Sequence, residues 1–321
     1  LEPPIVSVTT KISEEARQDR LFDLLRVMVS AGARIAPIGA VDDHVDAGEA
    51  ALFLKHDVHG LDLGKLLALA RREAAEGWFG SYLFMAPDHP LTGPHYGFSE
   101  QARCMHAIRD LGHEIGLHID PYFLMHHWRL PLARVMERLV ERFAGEGIRC
   151  TVANMHGNSR HKHADLDGRG TMFDLFDELR RQPDFPELAR VPPESAAIIR
   201  AERVAARDYG FTHWADMPMW SARHGFVVTH FVTDNQLGKL GTVETLVQED
   251  FWGAYKLCDR QTPGSRTSAP ARALVRVHDE PRETSVGVET LPWASPALAE
   301  RLRCLARQPT LMLVHPEFYC A

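Results

Sequence analysis

Two short apolar runs, each ending in residues that ionise or bind metals, constrain this chain more than any other feature. Ala51-Leu52-Phe53-Leu54 leads into Lys55-His56-Asp57-Val58-His59-Gly60, and Gly112-His113-Glu114-Ile115-Gly116-Leu117 leads into His118-Ile119-Asp120-Pro121. A strand that is apolar throughout must be covered on both faces, which is the condition of a parallel sheet flanked by helices. The rest of the chain supplies those helices. Residues 13–31 place Leu21, Leu24, Leu25 and Met28 at helical spacing behind an acidic first turn that Ser13 can cap, and Gly32 reads as the stop.

Residues 61–76, 99–111 (capped by Ser99) and 132–143 carry the same period. Strands are expected at 34–38, 51–57, 78–85, 113–120 and 148–155, with a polar loop through Asp42, Asp43 and Asp46. Four β-α units in succession, joined by right-handed crossovers, predict a parallel sheet. The second half is less regular. Helices are expected over 171–181, 196–208 and 296–308, and strands over 226–233 and 310–314, the last running into His315-Pro316-Glu317. With no repeat and no composition shift, the expectation is a single α/β barrel-like domain with insertions. Residues 1–50 form an N-terminal extension packed on a barrel of residues 51–321.

Composition narrows the partners. A formal charge of −7 without a basic block argues against nucleic acid. No apolar run reaches the roughly 18 residues that cross a bilayer, and the first residues show no secretory signal. The five cysteines are odd in number and lack CxxC spacing, so free thiols and a cytoplasmic location are expected. Oligomeric state is left open. With eighteen histidines in the chain, only position gives any one of them meaning.

Position does so at the strand ends. Alternate residues of a strand share a face, so Asp57 pairs with His59 and His118 with Asp120. In parallel α/β folds sites form at the C-terminal ends of strands. The later ends add His156, Asp234 and His315, and together these residues predict one shared site. The five-step spacing of His113 and His118 does not suit a zinc-protease helix. On a strand it turns His113 away from the site, as a packing or hydrogen-bonding residue.

At these residues the chain resembles the polysaccharide deacetylase (NodB-homology, carbohydrate esterase family 4) superfamily. Lys55-His56-Asp57-Val58-His59 is similar to the first motif of its divergent members, Arg-His-Asp-Val-Asp, with His59 at the metal-binding Asp. Gly112–Gly116 matches the Gly-His-Glu-Ile-Gly that precedes the second motif, whose first histidine falls on His118 and whose second falls on Tyr122. His156-Gly157-Asn158, Asp234 (with Asp216 as competitor) and Leu313-Val314-His315 resemble the later motifs more loosely. The resemblance implies a distorted (β/α) barrel of about seven parallel strands holding one divalent metal ion, usually zinc. It implies His59 and His118 as ligands and Asp120 as the third, with His126 and His156 as alternatives. It further implies Asp57 as base, His315 as acid, Asp234 as a catalytic partner, and His156, Asn158 and Tyr122 at the substrate. The activity implied is removal of an N-acyl group from an amino sugar or sugar-containing metabolite. Hydrolysis of a non-sugar C–N bond and silent glycan binding are the alternatives.

Overall fold

The computed structural model describes residues 13–86, 97–156, 204–215, 219–228, 230–233, 244–247, 277–278 and 305–320. The chain opens with helix α1 (Glu14–Ser30), whose Ser13 hydroxyl accepts from the Ala16 N–H at 3.2 Å, a cap that contributes about 1 kcal/mol. Strand β1 (Arg34–Ala36) and helix α2 (Val41–Ala47) follow. Three strand-helix alternations and a fourth strand come next: β2 (Ala51–Val58), α3 (Leu63–Ala75), β3 (Ser81–Met85), α4 (Phe98–Asp110), β4 (Glu114–Ile119), α5 (Pro121–Trp128), α6 (Leu132–Gly145) and β5 (Val152–Met155). Short strands β6 (His213–Trp214), β7 (Trp220–Ser221), β8 (Gly225–Phe226), β9 (His230–Thr233), β10 (Glu244–Val247) and β11 (Val277–His278) precede the last strand, β12 (Thr310–Val314).

Seven of these strands, in the order β9-β12-β2-β3-β4-β5-β6, are parallel neighbours in a curled sheet that forms a half-barrel. Short antiparallel strands extend both ends. Strand β1 and β3 share one edge of β2, since β12 occupies the other along Leu52 to His56. Among the described residues no pairing joins β6 back to β9, and the half-barrel of seven parallel strands is consistent with the distorted barrel expected.

The period-two alternation gives this sheet two cores. The convex face carries Leu52, Leu54, Val58, Phe84, Ile115, Leu117, Met312 and Val314 against the helices. The concave face carries Ala51, Phe53, Leu83, Val152 and Leu311, and closes over Ile38, Val41 and Ala215. The concave lining is polar at the N-terminal starts of β3 and β4, where Ser81 donates to Glu114, and again at the C-terminal strand ends. Gly116 marks how tightly that interior is filled, for a Cβ there would lie 2.7 Å from the Val152 carbonyl oxygen and against the Leu83 side chain.

Several boundaries differ from those read in the sequence. The loop expected through Asp42, Asp43 and Asp46 is helix α2, ended by Gly48 at φ 64°. Its two apolar anchors, Val41 and Val45, are too few to register as a periodic stripe, while Asp42 and Asp43 suit the positive end of a helix dipole. Helix α4 starts at Phe98 with Gly97 as its cap, so Ser99 lies inside the first turn. Helix α5 was not foreseen; Pro121 occupies its first position, where no N–H is needed. The strand expected over 226–233 is split between β8 and β9, and the described end of the helix expected over 196–208 is a short 3-10 turn, Ala206–Tyr209. The helix expected over 171–181, and that over 296–308 up to residue 304, lie outside the described residues.

One polar cluster interrupts the convex core. Glu73 of α3 accepts from Tyr82 at 2.8 Å and holds His56 Nε2 at 2.8 Å, while the His56 and Tyr82 rings stack at 4.0 Å. His113 accepts from the Gly80 N–H at 3.2 Å through Nδ1, so its Nε2 donates to the Ala70 carbonyl at 2.9 Å and the ring is the neutral tautomer. His113 thus packs on the face opposite to His118. Burial holds its pKa below the ordinary imidazole value, although the nearby Glu73 opposes the shift.

Two stability measurements follow. Gly116→Ala should lower the urea midpoint by the equivalent of about 1–3 kcal/mol at constant m, the usual cost of overpacking; an unchanged midpoint would mean the interior has room. The unfolded chain takes up a proton at His113 near pH 6.5 while the folded one resists. Stability should therefore fall as pH drops from about 7 to about 5. In His113→Gln the slope of unfolding free energy against pH over that range should be shallower, and an equal slope would exclude His113 as a source.

Candidate metal centre

The polar end of the concave face is built by strand parity. Lys55 and Asp57 on β2, His118 on β4 and Asn154 on β5 all point inward, and His59, His156 and His315 continue the same faces just beyond β2, β5 and β12. The curl then brings non-neighbouring strands into contact. Asn154 donates to Asp57 Oδ1 at 3.0 Å across β3 and β4, and Lys55 donates to the Ala215 carbonyl beyond β6 at 2.9 Å.

Three imidazoles meet at the centre. His59, His118 and His156 each offer a ring nitrogen, all lying within 4.8 Å of one another, and their ring centroids stand 5.1 and 5.2 Å apart. His118 and His156 are buried; His59 is partly exposed. This group could hold a metal ion.

Hydrogen bonding shows that two of these rings present lone pairs. The Asp57 carboxylate can only accept, so the Asn154 amide must turn its NH2 to Asp57 and its oxygen to His118 Nδ1, 2.7 Å away. His118 Nδ1 therefore donates and Nε2 carries a lone pair. His59 Nδ1 stands 2.8 Å from the Glu317 carboxylate and donates to it, so that the neutral ring likewise offers its Nε2 as an acceptor. The two Nε2 atoms face each other at 3.1 Å. Two lone pairs so placed repel unless a cation lies between them, and a third imidazole is more than one shared proton needs. Zinc–nitrogen bonds of about 2.0–2.1 Å in a tetrahedral site would put ligand nitrogens roughly 3.3 Å apart, so the donor set fits a metal ion.

The electrostatics agree with that use. Burial drives the His118 pKa well below the ordinary imidazole value, against the attraction of Asp57, and so keeps the ring neutral. Burial alone would raise the Asp57 pKa, but the positive charge of Lys55, 3.4 Å away, outweighs it together with His118, His315 and His59. The Asp57 carboxyl is held well below the usual carboxylate range.

The expected residues divide as follows. His59 and His118 are brought together with His156, which was expected at the substrate or as an alternative third ligand. Asp120, the expected third ligand, stands outside the group, its Oδ2 3.6 Å from His156 Nδ1. Asp57 is 4.0 Å from His118 Nε2, and the His315 ring lies 6.1 Å from that of His59 at 30°. Tyr122 lies in the first turn of α5, and its side chain, like that of His126, is outside the description. Asn158, Asp216 and Asp234 lie outside the described residues. Lys55, Asn154 and Glu317 were not anticipated as site residues. Lys55 and Asn154 each precede an expected site residue by two positions in an apolar strand, a signal visible in the sequence.

Comparison with protein-family models, with curated proteins and with solved structures gives no significant match.

The arrangement predicts a ranking in metal affinity. Measured with a divalent probe ion by equilibrium dialysis, His59→Ala, His118→Ala and His156→Ala should each lose stoichiometric retention. Asp120→Asn, which alters only a neighbour of one ligand, should stay within about tenfold of wild type. Retention by His156→Ala with loss in Asp120→Asn would return the third place to Asp120.

Proposed function

We propose that this chain is a metal-dependent hydrolase that removes an N-acyl group, N-acetyl foremost, from an amino sugar or sugar-containing metabolite. The observation that carries the reading is a carboxylate, Asp57, held ionised beside a three-imidazole group without being part of it. A base so placed has little use in a purely structural metal site, where ligands close around the ion. The likeness of Lys55–His59, Gly112–His118 and Leu313–His315 to deacetylase motifs supports the same chemistry, and the half-barrel is compatible with the NodB type of distorted barrel.

His59, His118 and His156 would hold the ion, for which three imidazoles favour zinc. When bound, such an ion supplies Lewis acidity, acidifying a water molecule and polarising an acyl carbonyl. Asp57 takes a proton from the attacking water as the oxygen–carbon bond forms, and Lys55 steadies its charge until then. Asn154 holds Asp57 and His118 in one fixed relation. His315 gives a proton to the nitrogen as the carbon–nitrogen bond breaks, so that the amine leaves uncharged.

Zinc-loaded protein should release acid from at least one member of a panel of N-acetylated and N-formylated amino sugars. Asp57→Asn should lower kcat by about 10²–10⁴ while zinc stoichiometry stays at the wild-type value. Release only from acyclic amides would move the substrate away from sugars. Tight binding without release from any compound would leave a silent binding protein.

A further inference from the structure

Resting on the metal-centre reading above, we infer that Glu317 is a positioning residue of that centre. Bound to the far nitrogen of His59, it fixes that ring to bind through Nε2 and supplies the negative charge that three neutral imidazoles lack.

The two facing rings are oriented by different means. His118 sits within a strand and is held by Asn154, a neutral amide that is itself pinned by Asp57. His59 lies one residue past the end of β2, where the ladder no longer fixes it. Its Nδ1 meets Glu317 Oε1 at 2.8 Å, across 258 positions of sequence. Glu317 is carried there by the short 3-10 turn Pro316–Phe318, which begins as β12 ends. Among the described residues His59 is the hydrogen-bond and ion-pair partner of Glu317, and no Lys or Arg neutralises it. Its second oxygen, Oε2, is a buried atom with no hydrogen-bond partner among the described residues. A half-buried carboxylate with so few compensations is costly unless a cation lies nearby.

A dication held by three neutral donors has its charge offset only by carboxylates outside the ligand set: Asp57, itself paired with Lys55, Asp120 beside His156, and Glu317. A carboxylate behind one imidazole raises that ring's basicity and offsets part of the charge without occupying a coordination position. Asn154 can orient His118 but adds no charge. The two supports are therefore unequal, and the Glu317 support should depend on charge as well as on shape.

The test measures zinc affinity of the full chain by competition with a chelator, for wild type, Glu317→Gln and Glu317→Ala. Nitrogen NMR of the histidine rings is recorded on the metal-free proteins. Glu317→Gln keeps the acceptor and nearly the volume, and should weaken zinc binding by about tenfold. Glu317→Ala should weaken it by about 10–100-fold, the range for lost outer-shell partners, and should remove the Nδ1–H preference of His59. The unfolding midpoints of the metal-free variants separate this from a merely structural role, because the affinity loss should appear in Glu317→Gln at a wild-type midpoint. Wild-type zinc affinity in both variants overturns this inference alone. A wild-type chain that binds no divalent ion overturns the metal reading and this inference with it.

Discussion

The hydrogen bond from Asn154 to Asp57 joins strands that are not neighbours, and the site depends on the curvature that makes it possible. In a flat sheet, β5 would stand roughly 14 Å from β2, three strand spacings away, yet the two side chains meet at 3.0 Å. The bond from Lys55 to Ala215 spans one strand more. Curvature of this degree needs an interior small enough to close upon. Gly116 supplies that space on the concave face of β4, where even a methyl group would meet Val152 and Leu83. Below this level Phe53, Leu83, Val152 and Leu311 fill the interior with apolar bulk, and above it the lining is ionisable. The same concave face therefore performs two tasks in sequence, packing at its N-terminal half and chemistry at its C-terminal end.

Strand β2 carries ionisable groups on both faces, and each is compensated where it lies. Inward, Lys55 and Asp57 neutralise one another between a backbone carbonyl and the Asn154 amide. Outward, His56 rests on Tyr82 and binds Glu73, which no solvent reaches. Burying such groups unpaired would cost several kcal/mol each. Their pairing also makes the register of β2 unforgiving. A slip of one residue would turn His56 into the site and Asp57 into the helix layer, losing both sets of partners at once. The outer cluster thus helps hold Asp57 and His59 in place, although it lies on the opposite face of the sheet from the imidazole group.

What could be read from the sequence was whatever periodicity encodes. Strands β2 to β5 and β12, helices α3, α4 and α6, and the inward direction of Asp57 and His118 all follow from alternation or from the helical period. Parity alone also separates His113 from His118. Helix α2 escaped because two valines make no stripe, and α5 because Asp120 and Pro121 read as a strand end and not as a helix start. The third imidazole was harder. Asp120 shares a face with His118, and nothing in one strand tells whether it or His156 of the next will come closer to His59. That depends on how far the sheet curls, which no local pattern states. Glu317 was harder still, because its position is set by a turn and its partner lies 258 residues away.

That separation bears on how the site is completed. Strand β12 lies between β2 and β9, pairing with both, so the end of the chain is threaded beside its first long strand. His315 and Glu317 reach the imidazole group only once this insertion has occurred. His118 is oriented by Asn154 within the β2–β5 sheet, whereas His59 lies past the ladder of β2 and meets the Glu317 carboxylate. Contacts of such sequence separation carry a loop-closure cost that local contacts do not. The site therefore draws on two parts of the topology. The β2–β5 sheet sets the base and one ligand, and the last strand brings the acid together with the carboxylate that holds the other ligand in register.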